Sequence, residues 1–252
     1  SFSELDHARR VARALGSEHH ELLIEPISVP LLEASVWHLD EPMTDLSAIP
    51  FMLICREARR HVTVCLSGEG GDEVFVGYDR FKASHFDAQI YRRLPAALRR
   101  GLISPLAARL PDQAQKKGAL NVIKRFVQGA DLAPEGEHLR WQYFLGPRDR
   151  GALFRPELLS RIETDPFARI ANHLEKRDGW SRLARELHLD FRFVMPDSVL
   201  MKVDKMSMAS SLEVRVPLLD QAVVEFAASI PDHLKFRGFT TKVILRQALR
   251  GL

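Results

Sequence analysis

The residues best placed to do chemistry lie in Ser67-Gly-Glu-Gly-Gly-Asp-Glu73. Three glycines in the five positions Ser67 to Gly71 let a backbone approach a phosphate or a sugar closely. They follow Val62 to Leu66, a short apolar run rich in β-branched residues, which reads as a buried strand. Asp72 and Glu73 then read as first-turn acids of a helix. The turn holds Glu69, Asp72 and Glu73 and no Lys or Arg, so a bare anion would be repelled. A hydrated Mg²⁺ between these acids and a nucleotide reconciles the two features. The same spacing also suits a tight turn with solvated acids.

Two further stretches place charge unusually. In Phe193 to Asp220, Lys202, Asp204 and Lys205 alternate with Leu200, Met201, Val203 and Met206. Glu213 and Arg215 stand two apart in an extended-looking Leu-Glu-Val-Arg-Val-Pro, so they share one side of it. Charges among apolar neighbours need partners or a ligand. Internal salt bridges that pin a helix to a loop fit this pattern, and so does a ligand site. The methionines Met195, Met201, Met206 and Met208 suit gap-filling core. Near the end, Thr240 or Thr241 can cap a helix that puts Lys242 in its first turn, where the helix dipole disfavours a cation. A phosphate bound opposite Lys242 would offset that penalty; a solvent-exposed lysine fits the spacing equally.

These residues need elements to hold them. Ser3 to Leu15 has helical spacing, with Ser3 as N-cap and Gly16 as stop. His20 to Ile24 reads as a short strand, and Pro30 to His38 as a helix ended by Asp40-Glu-Pro42. Ser47 caps a helix from Ala48 to about Arg60, and the strand before the glycine turn follows. Helix, strand, helix, helix, strand is the order of an open α/β layer with a parallel sheet. Beyond Tyr78 the pattern is helical: Pro95 to Leu110, Leu120 to Gln128, Glu137 to Phe144, Pro166 to Arg177, Trp180 to Phe193, Gln221 to Ser229 and Thr241 to Leu249. Residues 1–79 form an α/β part and 80–252 a mainly helical part, with Leu110 to Gly118 a polar loop expected to be mobile.

The 252 residues suffice for one large domain or two small ones, and the net charge of +3 is small and dispersed. Arg92-Arg93, Arg99-Arg100 and Lys116-Lys117 lack interleaved aromatics, so they read as solvated helix faces and not as a nucleic-acid surface. No apolar run reaches membrane-spanning length, and Ser1 opens nothing like a signal peptide. Cys55, in a helix-like run, and Cys65, in a strand-like one, read as buried free thiols, which implies a cytoplasmic protein. His19-His20 is an adjacent pair whose rings would point apart on a strand, and no His/Cys group has zinc spacing.

Taken together, Ser67-Gly-Glu-Gly-Gly-Asp-Glu73 with Gly77-Tyr78 resembles the nucleotide loop of glutamine-hydrolysing asparagine synthetases. Lys202-Val-Asp-Lys-Met-Ser-Met-Ala-Ser-Ser-Leu-Glu-Val-Arg-Val-Pro-Leu-Leu-Asp220 is similar to their second signature, and Thr241-Lys242 to their third. Asp40-Glu-Pro42 and Lys124-Arg-Phe126 also look like the family's, so the resemblance spans the whole chain. It implies a parallel-sheet, ATP-pyrophosphatase-like (adenine nucleotide α hydrolase-like) α/β fold completed by a helical region. In that family aspartate attacks the α-phosphate of ATP, giving a β-aspartyl-adenylate and pyrophosphate, and ammonia from glutamine then displaces AMP. Carried over, Ser67 and Gly68 would contact ATP, Asp72 would ligate Mg²⁺, and Glu69 would support adenylate formation or its aminolysis. Lys242 would neutralise charge where carboxylate meets phosphorus. Lys202, Asp204, Glu213 and Arg215 would hold the amino-acid substrate or support those that do.

The family pattern is not complete. Its pyrophosphate loop, Ser-Gly-Gly-x-Asp-Ser, does not occur here, nor does a glutaminase domain opening on a catalytic cysteine. The expectation is therefore a fragment of a longer protein, nearly inactive alone and partnered by the glutaminase domain of its parent, with a homodimer one assembly open to it. Val76 stands where the family often has glycine. A related amide- or lactam-forming synthetase for another carboxylate is the runner-up, and a non-catalytic fragment the third reading.

Overall fold

The computed structural model describes residues 5–24, 26–43, 45, 47–111, 113, 118–143, 145–161, 167–177 and 179–251. In chain order its main elements are α1 (Leu5–Leu15), α2 (Val29–Leu39), α3 (Ala48–Ala58), β1 (Val64–Leu66), α4 (Gly71–Phe75) and α5 (Asp79–Gln89). There follow α6 (Ala119–Ala130), α7 (Ala168–Leu174), α8 (Arg182–Leu189), α9 (Met201–Met208), β2 (Glu213–Arg215), α10 (Gln221–Ser229) and α11 (Val243–Ala248). They form two units: Ser1–Gly68 with Met195–Pro217, and Glu69–Val194 with Leu218–Leu252.

In the first unit, α9 packs on α2 and α3 through Met206, fully buried with Leu39, Ala48 and Met52. Among the described residues the unit's sheet has two strands, β1 and β2, paired in parallel with Val64 opposite Glu213 and Leu66 opposite Arg215. The extended reading of Leu212 to Pro217 thus finds its strand. β1 is not the buried strand its composition suggests: Val64 and Leu66 are exposed, Leu66 by 72%, and Cys65 between them is only partly buried. His20 to Ile24 is irregular and exposed, without a ladder partner among the described residues, so it is no strand. Gly16 does end α1, at a φ of 62° with its N–H returned to Arg13. Ser3 lies outside the described residues, as do most of Leu110 to Gly118 and the pair Lys116-Lys117. Ser47 holds the N-cap place of α3 but makes no side-chain cap. Cys55 is buried and Cys65 only partly so, and both are free; burial pushes the Cys55 thiol up to about 11.

The second unit is helical. One apolar cluster joins Val76, Phe81, Leu183, Leu187 and Phe236, and a second joins Val74 and Phe75 of α4 to Ala227 and Ile230, with Ile244 and Leu245 of α11 packed on it. The unit also buries two carboxylates with basic partners. Asp190 accepts from Arg80 at 2.8 Å and pairs with His138 at 2.7 Å, and Asp87 accepts from Arg92 at 2.7 Å and Arg140 at 2.8 Å. Arg92, expected on a solvated face, is in fact held by that buried carboxylate.

Candidate active site

The site grows from the close of α4. This helix is one turn long and ends with Val76 left-handed, at φ 62° and ψ 61°. The Gly77 N–H then bonds the Asp72 carbonyl, five positions back, at 2.8 Å, and folds Gly77 over the start of the helix. Glycine is the usual residue at the left-handed position of such a cap, which is the physical meaning of Val76 standing in a glycine's place. A β-branched residue is strained there, and its full burial among Phe81, Leu183 and Leu187 offsets the strain.

Gly77 lies directly against the Asp72 side chain. A Cβ at Gly77 would meet Asp72 Oδ1 at 1.6 Å and Lys242 Cε at 2.4 Å. The space so left is filled by an ion pair: Lys242 Nζ is 2.6 Å from Asp72 Oδ1, with both side chains partly exposed. Lys242 arrives there because Ile244 and Leu245 seat α11 on Val74 and Phe75. Its own backbone is left-handed, at φ 53°, and it occupies the cap position of α11; neither Thr240 nor Thr241 caps that helix by its side chain. The lysine therefore sits at the positive end of a helix, facing a carboxylate.

The neighbouring acid behaves differently. Glu73 is 1% exposed and accepts a short hydrogen bond from the Tyr78 hydroxyl, so it is not a solvated turn acid. Burial is the main cause that raises its pKa, and burial followed by the Glu73 bond raises that of Tyr78. The Arg80 guanidinium lies over the Tyr78 ring, 3.7 Å from its centroid, and continues the chain to Asp190. The sequence marks Gly77-Tyr78 as travelling with the acidic turn but gives neither residue a role, and nothing in it singles out Arg80.

Other sequence candidates lie as follows. Ser67 and Gly68 end the first of the first unit's two segments, and the Ser67 N–H is used in the sheet ladder, donating to the Arg215 carbonyl at 2.8 Å. Glu69 opens the second unit. Lys202 is buried on α9 and donates to Ser47 Oγ at 3.0 Å and Asp45 Oδ2 at 3.3 Å. Lys205 pairs with Asp40, whose carboxyl that hydrogen bond lowers. Arg215 and Glu213 share one side of β2, as expected of extended chain, and pair at 2.7 Å. Asp204 and Glu213 line a cavity of about 190 Å³ with Leu200, Val203, Ser207 and Val216. Lys202 and Arg215 are not among its lining residues.

Among the described residues no group of three or more His, Cys, Asp or Glu could hold a metal by itself. Magnesium needs no such cage: one or two carboxylates, waters and substrate phosphates suffice. Asp72 suits that role as a partly exposed oxygen donor, already facing a cation in the room that Gly77 leaves. Among the described residues no helix is long and apolar enough to cross a membrane.

The family model for asparagine synthase matches residues 1–252. The chain is 34% identical over 259 residues to Asparagine synthetase (glutamine-hydrolyzing) 1 of Bacillus subtilis (strain 168), covering 100% of this chain and 38% of that protein. It is 28% identical over 246 residues to Asparagine synthetase (glutamine-hydrolyzing) 3 of the same organism, covering 96% and 33%. It is also 24% identical over 273 residues to Amidase chyE of Penicillium rubens (strain ATCC 28089 / DSM 1075 / NRRL 1951 / Wisconsin 54-1255), covering 96% and 38%. The chain thus spans less than two fifths of the length of these relatives.

Proposed function

Because the chain belongs to the asparagine synthase family, we propose that it is the synthetase part of an ATP-dependent, amide-forming ligase that converts aspartate to asparagine. The supporting observation is the 2.6 Å contact between Lys242 and Asp72, which joins residues 170 positions apart in the turn where charge must be managed.

In this reading an aspartate β-carboxylate oxygen attacks the α-phosphorus of ATP, and pyrophosphate leaves. Two anions must meet, so the barrier is largely electrostatic. Lys242 supplies positive charge at the phosphates, while Ser67 and Gly68 contact the nucleotide. Asp72 would hold Mg²⁺, which screens phosphate charge when bound. Glu69 supports formation of the acyl-adenylate or its aminolysis. Ammonia then attacks the acyl carbon and loses a proton, and AMP departs with the former carboxylate oxygen. Lys202, Asp204, Glu213 and Arg215 support the amino-acid substrate. The ammonia comes from glutamine through a glutaminase domain, whose pairing with this chain belongs to the proposal, as do the ATP-pyrophosphatase fold, a homodimer and a cytoplasmic location.

The test is pyrophosphate release from ATP by the intact protein, with aspartate compared against other carboxylic acids. Aspartate-dependent release that collapses in Glu69→Ala and Lys242→Ala supports the reading. Release driven by another acid selects a related amide-forming synthetase, and no release with any acid selects a non-catalytic role.

A further inference from the structure

We propose that Lys242 and a divalent cation compete for the Asp72 carboxylate, so that the lysine itself neutralises the site until a nucleotide draws it away. The inference rests on the functional reading above and concerns how the site is loaded.

The geometry points to competition. The Lys242 ammonium contacts Oδ1 directly. The Gly77 backbone packs so tightly behind that oxygen that even one added carbon would overlap it. The ammonium sits on Oδ1 at 2.6 Å, so a metal on that oxygen takes the place of the lysine. The pair is partly exposed, and an exposed pair holds back a competitor by only about fivefold. Displacement is thus within easy reach.

What happens to the displaced lysine makes the device useful. Lys242 stands at the start of α11, where the helix dipole repels a cation. Once Asp72 is taken, the ammonium carries uncompensated charge beside the same carboxylate, and a polyphosphate is the ligand that would meet it. Metal and nucleotide then favour each other's binding by the same factor, as linkage requires.

The experiment titrates the intact protein with Mn²⁺ as the probe, without nucleotide, and follows free Mn²⁺ by electron paramagnetic resonance. Lys242→Met and Lys242→Gly should each bind Mn²⁺ about fivefold more tightly than the wild type. Glycine there tolerates the left-handed backbone and guards against a folding artefact. Asp72→Asn should lose the site. Adding ATP should tighten Mn²⁺ binding in the wild type more than in either variant. Equal or weaker Mn²⁺ affinity in both folded variants overturns the competition. If aspartate-dependent pyrophosphate release persists in the wild type in that case, only the competition falls; if no form binds Mn²⁺ through Asp72, the metal role in the functional reading falls with it.

Discussion

Replacing Gly77 by alanine puts a methyl carbon 1.6 Å from Asp72 Oδ1, 2.5 Å from its Cγ and 2.4 Å from Lys242 Cε. Restoring an ordinary carbon–oxygen contact of about 3.3–3.6 Å requires the carboxylate to retreat by roughly 2 Å. That breaks the 2.6 Å contact with Lys242. For stability the loss is modest. A partly exposed ion pair is worth about 1 kcal/mol or less, and a strained Asp72 rotamer costs about 0.5–1.5 kcal/mol. Gly77 is not among the left-handed glycines, so alanine returns about 0.4–1 kcal/mol through the unfolded chain. The sum lies within about 2 kcal/mol, a shift in Tm of at most roughly 8 °C. For catalysis the loss is large, since a misplacement of about 1 Å can cost about a hundredfold. The assay pairs thermal unfolding with aspartate-dependent pyrophosphate release, using Gly101→Ala as control, because a Cβ at Gly101 meets nothing within 4 Å. A folded Gly77→Ala protein that keeps at least a third of wild-type activity would refute the reasoning.

Three further outcomes follow from the packing. Val76→Gly relieves a left-handed β-branched residue while losing a buried side chain, so in urea it should be at least as stable as Val76→Ala; the reverse order removes the claim of strain. Asp87→Ala strands Arg140, 4% exposed at its side chain, and should cost about 3–5 kcal/mol in the same measurement; a cost below about 1 kcal/mol shows that the pairing is idle. His173 and His188 contact through their Nε2 atoms at 2.7 Å, and burial first, then Arg177, lowers the pKa of both, with Arg192 adding to it. Neutral rings are thus the folded form, so their contribution is present above about pH 6.5 and lost as pH falls through the depressed values. From about pH 7.5 to about pH 5, Tm should fall less in His173→Gln/His188→Gln than in the wild type, and parallel curves contradict the sign.

Local signals carried far into this chain. Gln221 to Ser229 is a helix with the bounds its spacing indicates, and Asp220 caps it by accepting from the Ala222 N–H. The glycine turn, the acidic helix start after it and the extended Leu212 to Pro217 could likewise be read, since turn chemistry and periodicity act over a few residues. What could not be read depends on distant chain. β1 reads as buried from composition, yet its pairing partner lies about 150 positions away and Leu66 is exposed. Asp72 and Glu73 look alike in sequence, but successive helical residues point in different directions, so one meets Lys242 and the other enters the core. Gly77 sits in the quoted loop, and the reason for it is a lysine 165 positions on.

The most direct test of the account follows an oxygen atom. Aspartate labelled with ¹⁸O in its β-carboxylate is turned over by the intact protein with ATP, and AMP and pyrophosphate are weighed by mass spectrometry. Attack of the carboxylate on the α-phosphorus beside Lys242 predicts one ¹⁸O in each AMP and none in pyrophosphate, with both signals gone in Lys242→Ala. Unlabelled AMP, or label in inorganic phosphate, would contradict it.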